Sequence, residues 1–293
     1  MNILLTGSSG FIGRNIKESY LAEKHKIIAP RHSELDLLNE DAVSRFFEKN
    51  QIDVVIHSAT KPGHRNANDL SNLFYSNTRM FFNLARMSEY FGKMIVIGSG
   101  AIYDMRHYKS KVKEEDYNLH IPADDHGFCK YVCEKYTEKS ENIIDLRVFG
   151  IFGKYEDYAI RFISNMICKA IFDLPLTMNQ NRKFDYIYID DFIKIVEYFI
   201  EHKSKYSAYN ITPDNSIELY EIAEKVKNIA KKDLPIFVAK DGMGLEYSGD
   251  NFRLKNEFSD LKFTKIDDSI KQLYDWYFAN RNLLDKNKLL EDK

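Results

Sequence analysis

The sequence predicts an α/β fold, a doubly wound parallel sheet followed by a smaller C-terminal α/β lobe. Three observations carry this. Short apolar, β-branched runs alternate with amphipathic helical stretches, the connections are long enough for helical crossovers, and a glycine-rich turn joins the first run to the first helix. Strands are expected at Asn2–Leu5, Lys26–Ala29, Asp53–His57, Met94–Gly98 and Ile143–Val148. Helices are expected between them at Phe11–Leu21, Glu40–Lys49, Leu70–Tyr90 and Gly127–Lys139. After Gly153 the rhythm changes. A helix at Tyr158–Phe172 is followed by a strand near Pro175–Met178 and by Tyr186–Ile189 running into a helix at Asp191–Glu201. A strand at Ala208–Ile211 and a helix at Leu219–Ala230 follow. The closing helix, Asp267–Asn280, carries Ile270, Leu273, Trp276 and Tyr277 on one face.

Composition narrows the field. The 293 residues are 44% hydrophobic, enough for a well-buried core, yet no apolar run is long enough to cross a membrane. A net charge of −2 with mixed signs provides no basic patch of the kind nucleic acid requires. Cys129, Cys133 and Cys168 are odd in number and lack metal-ligand spacing, so no metal site is expected and the thiols read as reduced. Met1 runs straight into the first strand, which leaves no room for a targeting segment, and a cytoplasmic location is expected. The charged tail Asn282–Lys293 reads as a loose helix.

Residues 4–13 read Leu-Leu-Thr-Gly-Ser-Ser-Gly-Phe-Ile-Gly. Gly7 permits a tight turn, Gly10 lets a backbone approach a pyrophosphate, and Gly13 lets the next helix lie close to the strand. The helix N-terminus then offers free N–H groups to phosphate. The alternative is a strand–helix turn with no ligand. Read as a Rossmann-type dinucleotide site, the turn makes Gly7, Ser8, Ser9, Gly10, Phe11, Ile12 and Gly13 cofactor-binding candidates. Residues 1–152 then form the cofactor-binding domain, to which 189–214 returns, and 153–293 form most of the substrate lobe. Strand two ends Ile27-Ile28-Ala29-Pro30-Arg31-His32, without the carboxylate that accepts from the adenosine ribose in NAD-specific proteins. Arg14 and Arg31 are placed to face a 2′-phosphate, or are solvated surface arginines. Together with the missing acid they favour NADP(H) over NAD(H).

The GxxGxxG spacing resembles that of extended short-chain dehydrogenase/reductases of the NAD-dependent epimerase/dehydratase type. Other segments extend the resemblance over almost the whole chain: Glu34–Leu38, Asp53–Ala59, Phe184–Phe192, and Gly249–Arg253 followed by Asp275-Trp276-Tyr277. The last third is similar to members that act on nucleotide-diphosphate sugars, among them 4-ketoreductases. The resemblance implies that Asn77 is the family's helix asparagine, that the Ser99 hydroxyl holds the substrate oxygen, and that Lys130 binds the nicotinamide ribose. It also assigns Ser58, Ala59 and Thr60 to the cofactor. Standing alone, Ser99 would read as a turn serine.

One departure matters most. The position of the family's catalytic Tyr is His126, in His126-Gly127-Phe128-Cys129-Lys130. Imidazole does acid–base work near neutral pH, but its ring is shorter than a phenol. Three readings stand: a working acid, a substitution that leaves little activity, or a cofactor-dependent binding protein that has lost catalysis.

The resemblance also works by exclusion. Members that dehydrate nucleotide sugars carry an Asp-Glu pair after the serine-position residue, where this chain has Gly100 and Ala101. The bifunctional epimerase-reductases that make nucleotide-linked L-fucose use a Cys at the position of Ala101. What remains is reduction of a 4-keto sugar, or a transient oxidation and reduction that inverts C4. NADPH favours the former. A nucleotide diphosphate needs cations, and Lys154, Arg182, Lys183 and Arg253 are the candidates; Phe184 stands where members often have an Arg. The loop Asp104–Asp125 reads either as a substrate lid or as an ordinary polar connection. A homodimer through helices Leu70–Tyr90 and Gly127–Lys139 is expected, as in family members.

Overall fold

The computed structural model describes residues 1–63, 67 and 69–290. Five parallel strands form most of one sheet: β1 (Asn2–Thr6), β2 (Lys26–Ile28), β3 (Val54–His57), β4 (Lys93–Ser99) and β5 (Ile143–Val148). The strand Ala208–Ile211 adds to the outer edge of β5, so the order is 208–211, β5, β4, β3, β1, β2. Successive side chains point to opposite faces, and both faces are covered. Ile3, Leu5, Val54, Ile56, Ile95, Ile144 and Leu146 enter a large core cluster that runs on into the C-terminal half. Leu4, Val55, Met94, Val96 and Ile143 enter a second cluster on the other face.

The crossover helices are α1 (Phe11–Lys17) with the short α2 (Leu21–Lys24), α3 (Glu40–Lys49), α4 (Leu73–Ala85) and α5 (Asp125–Thr137). The helix expected over Phe11–Leu21 breaks after Lys17. Ser19 Oγ donates to the Ile16 carbonyl and accepts from the Leu21 N–H, drawing both groups out of a continuous ladder. The long helix expected from Leu70 starts instead at Leu73, because Asn72 takes a left-handed conformation (φ 53°). At the start of α5, Asp124 Oδ1 accepts from the Gly127 N–H at 2.8 Å.

In the C-terminal half, helices Phe162–Ile171, Leu219–Ala230 and Ile266–Ala279 pack on one another. Within the last, Ile270, Leu273 and Tyr277 are buried and Trp276 partly so. A strand at Ile236–Met243 pairs with Leu176–Asn181; its side chains are nearly all exposed, so it has no apolar alternation to announce it. The tail holds a 3-10 turn at Arg281–Leu283 and one helical turn at Asn287–Leu290, and residues 291–293 lie outside the described residues. Among the described residues no helix is long and apolar enough to cross a membrane.

The segment 104–124 is fastened in place, which counts against a lid. Lys111 N–H donates to Ser248 Oγ at 2.9 Å, Asn210 Nδ2 to the Val112 carbonyl at 2.9 Å, and Arg147 Nη1 to the Glu114 carbonyl at 2.7 Å.

α1 lies tight against the turn after β1 at Gly13, where a Cβ would stand 2.2 Å from the Gly7 carbonyl oxygen. Gly13→Ala is expected to push α1 off β1 and lower stability by about 1–3 kcal/mol, read as a lower urea midpoint. An unchanged midpoint would show that the approach is not a constraint.

Candidate active site

The chain runs outward from β1 to β2, then crosses back to β3, so the crossovers diverge at the carboxyl ends of β1 and β3. A cleft of about 1030 Å³ opens there. Gly7 turns at φ 68°, and a Cβ on it would lie 2.6 Å from the Ala59 nitrogen, so only glycine lets the two strand ends sit this close. Thr6 Oγ1 accepts from the Ala59 N–H at 3.2 Å and lies 3.0 Å from His57 Nδ1. Burial, reinforced by nearby Lys130, pushes His57 down to about 3. The imidazole is therefore neutral, and its Nδ1 shares a hydrogen bond with the Thr6 hydroxyl.

Gly10 precedes α1 and no side chain caps that end of the helix. A Cβ on Gly10 would meet only the Gly7 carbonyl oxygen, at 3.4 Å, so its face is open to the cleft. A backbone turn with this room and these free N–H groups fits a pyrophosphate. The same cleft is lined by Ser8, Ser9, Phe11, Ile12, Arg31, Ser58, Ala59 and Thr60, and at its other end by Ser99, His126 and Lys130.

Ser99 ends β4, and its Oγ accepts from the Ala101 N–H at 3.1 Å. His126 and Lys130 stand one turn apart on α5, and Lys130 Nζ donates to the Ile97 carbonyl at 3.0 Å. His126 Nδ1 is buried with no hydrogen-bond partner among the described residues. Burial and the Lys130 charge push the imidazole down to about 4, against a smaller opposing pull from Asp124. At neutral pH it is an uncharged ring. Asn77 does not line the cleft; it holds the loop after β3, accepting from the Lys61 N–H at 2.7 Å and donating to the Lys61 carbonyl at 3.1 Å.

Other sequence candidates are not brought to this cleft. The Arg14 guanidinium bonds Glu18 at 2.8 Å and lies 3.6 Å over the Tyr155 ring, and it is not among the residues that line the cleft. Arg253 pairs with Glu115 at 3.1 Å and Glu114 at 3.6 Å and covers Tyr206. Lys154, Arg182 and Lys183 are also absent from the lining, as is Gly13, which lies beneath the turn. A phosphate contact from Arg14 or Arg253 would require breaking a charge-assisted pair.

The lining adds residues that motif reading missed, chiefly Lys61, Phe149, Glu156 and Arg161. Arg161 is the N-cap of helix Phe162–Ile171, which begins four residues later than expected, so a residue expected inside the helix stands at its mouth. Glu156 accepts from the Gly153 N–H at 3.1 Å and from Ser164 Oγ at 2.8 Å, and burial pushes it up to about 7. No spacing signal marks it. Among the described residues no cluster of His, Cys, Asp and Glu could hold a metal ion.

Comparison with known proteins agrees with this architecture. Residues 3–212 match the model of the NAD dependent epimerase/dehydratase family. GDP-L-colitose synthase of Yersinia pseudotuberculosis is 22% identical, over 79% of this chain and 82% of its own. A solved GDP-mannoheptose C4 reductase from Campylobacter jejuni with NADP bound has a TM-score of 0.80 at 21% identity, covering 94% of this chain and 98% of that one. A UDP-glucose 4-epimerase from Thermotoga maritima has the same TM-score at 18% identity, covering 97% and 100%.

The histidine states set a pH dependence. Folded His126 and His57 bind protons more weakly than the unfolded chain, whose imidazoles titrate near 6.5. As pH falls below about 6.5 the unfolded state takes up protons first, so stability should decline toward pH 4. Histidine carbon–proton NMR is expected to show His126 still neutral at pH 5.5. A midpoint near 6.5 would refute its burial.

Proposed function

The chain belongs to the NAD dependent epimerase/dehydratase family, and from that membership we propose that it uses NADPH to reduce the 4-keto group of a nucleotide-diphosphate-linked sugar. The carrying observation is that one cleft holds the glycine turn at one end and Ser99, His126 and Lys130 at the other. A bound nicotinamide would supply the hydride to the carbonyl carbon. The chain's own groups then manage the carbonyl oxygen, which gains negative charge as the hydride arrives and takes its proton from solvent water. Ser99 donates a hydrogen bond to it. Lys130 contributes a positive charge beside it. His126, held down to about 4 by burial and so uncharged at pH 7, contributes an N–H hydrogen bond.

Gly100 and Ala101 follow Ser99, and neither carries a proton-transferring group, which favours redox at one carbon over dehydration or C3/C5 epimerisation. Arg31 on the rim, with no acid at the end of β2, supports NADPH. Arg161 lines the cleft as a cation for the cofactor and substrate phosphates. The GDP-mannoheptose C4 reductase, a fold neighbour, is named for this reaction type. The reading includes a division in which 1–152 hold the cofactor and 153–293 most of the substrate, and a cytoplasmic location. It also includes a homodimer through α4 and α5, where Phe74 stacks on Phe128 at 5.0 Å beside exposed Tyr75.

A second reading has one observation in its favour. Arg14 is committed elsewhere, which removes half of the 2′-phosphate argument and favours an NAD-retaining 4-epimerase.

The test is NADPH oxidation with CDP-, GDP-, UDP- and dTDP-linked 4-keto-6-deoxy sugars. Turnover is expected with at least one. His126→Ala should lower kcat about 10- to 100-fold with NADPH affinity unchanged. Bound NAD released by denaturation, with no response to NADPH, would instead establish the epimerase reading. Separately, Arg31→Ala is expected to weaken NADPH binding about tenfold and leave NADH unaffected, measured by fluorescence titration. Equal losses for both cofactors would refute the role of Arg31.

A further inference from the structure

A carboxyl group without a cation stands in the wall of the cleft. Glu156 lines the cleft, is 6% exposed, and makes no ion pair among the described residues. Its two hydrogen bonds, from the Gly153 N–H at 3.1 Å and from Ser164 Oγ at 2.8 Å, both end on Oε2. Burying an unpaired carboxylate is costly, so the acid form is favoured, up to about pH 7. Its electrostatic neighbours are Arg161 and Asp157 from its own segment, which pull in opposite directions. Tyr186, Cys168 and Tyr277 act on it from the adjoining strand and helices, and burial keeps all three protonated and uncharged. From α1 come Phe11 and Asn15, which carry no charge, and Arg14, which is paired with Glu18.

The segment that carries Glu156 is fastened to the first turns of α1. A Cβ on Gly153 would stand 3.6 Å from the Phe11 ring. Asn15 Nδ2 donates to the Phe11 and Lys154 carbonyls, both at 2.8 Å. Tyr155 takes a left-handed conformation (φ 73°), which a non-glycine residue keeps only when its surroundings hold it. Arg14 does so, lying 3.6 Å over the ring, and the Tyr155 hydroxyl donates to Glu18 at 2.7 Å. The carboxyl is thereby kept beside the helix start that fits a pyrophosphate. An ionised carboxylate there repels phosphate, and a carboxylic acid does not. Arg161, whose charge draws Glu156 toward ionisation, is itself in no ion pair among the described residues and is free to turn to the phosphates.

We propose that Glu156 belongs to the cofactor-binding site and meets a bound dinucleotide in its acid form, taking up a proton from solvent wherever the empty site holds it ionised. The inference rests on the reading that the cleft binds a dinucleotide, and holds whichever reaction follows. No electron moves: the proton comes from buffer acid and returns to it when the cofactor leaves. Because the bound state holds this proton more tightly than the empty one, cofactor affinity is full at low pH. It declines as pH rises through the midpoint of the empty site.

The experiment is calorimetric titration with NADPH, and with NADH as a probe that lacks the 2′-phosphate, at pH 7 and pH 8 in buffers of different ionisation enthalpy. Wild type is expected to take up about half a proton per site at pH 7 and nearly one at pH 8, with affinity falling about fivefold between them. Glu156→Gln should lose both effects and bind more tightly than wild type at pH 8; the difference between the two proteins cancels protons exchanged by other groups. No uptake by the wild type, or equal uptake by the variant, would overturn the inference. If the variant does not fold, carboxyl carbon NMR of glutamate-labelled wild type decides. One glutamate titrating near pH 7 without cofactor and above pH 8 with it is expected, and none titrating between pH 6 and 8 would overturn the inference. Binding of NADH alone would fail the NADPH reading while its proton count still tests Glu156. Binding of neither cofactor would overturn both.

Discussion

The buried guanidinium of Arg147 is the interaction on which the reacting end depends. It lies on β5 at 1% exposure and pairs with Glu134 of α5 at 2.9 Å and Asp145 of its own strand at 3.4 Å. It also donates to Tyr103 Oη and the Glu114 carbonyl, and its plane lies 4.6 Å from the centre of the Tyr117 ring. One charged group therefore ties together the sheet, the helix that carries His126 and Lys130, and the segment after Ser99. A buried cation between two carboxylates is costly to desolvate, and removing it would leave those carboxylates uncompensated, at a cost on the order of 3–5 kcal/mol. Such an arrangement specifies geometry more than it adds stability.

Around that anchor, small residues set the distances. Gly98 has no side chain where a Cβ would stand 1.9 Å from Asp145 Oδ1. Gly100 leaves the space that the Tyr247 hydroxyl fills, and a Cβ on Gly127 would meet the Ala101 carbonyl at 2.4 Å. β4 and the start of α5 can thus approach each other and place Ser99 and His126 on one wall of the cleft. Burial then sets the charge states. His126 and His57 lose their protons, and Glu156 holds its own to about pH 7.

The parts legible in sequence have a local physical cause. Strand Ile143–Val148 and helices Glu40–Lys49 and Leu219–Ala230 were bounded correctly because apolar periodicity and turn residues agree there. The glycine turn was legible because close backbone approach demands glycine at those spacings. Ser99, His126 and Lys130 were placed by resemblance, and the structure brings all three to one cleft. Arg14 and Arg253 were not legible: an arginine's direction depends on which carboxylate or ring lies within reach, and Glu18, Tyr155, Glu114 and Glu115 intercept them. The sequence leaves the loop 104–124 open between a lid and a polar connection because its anchors, Ser248 and Asn210, are about a hundred residues or more away along the chain.

By itself, then, the sequence determined the alternation of strands and helices, the tight first turn, and the chemical types available at the reacting end. These follow from neighbours a few residues apart, whose spacing is written in the chain. Tertiary structure decided which side chains face the cleft, that His126 is neutral, and that the Tyr247 hydroxyl fills the space beside Gly100. Those depend on long-range packing, because burial, charge partners and hydrogen-bond direction arise only when distant segments share a dry interior.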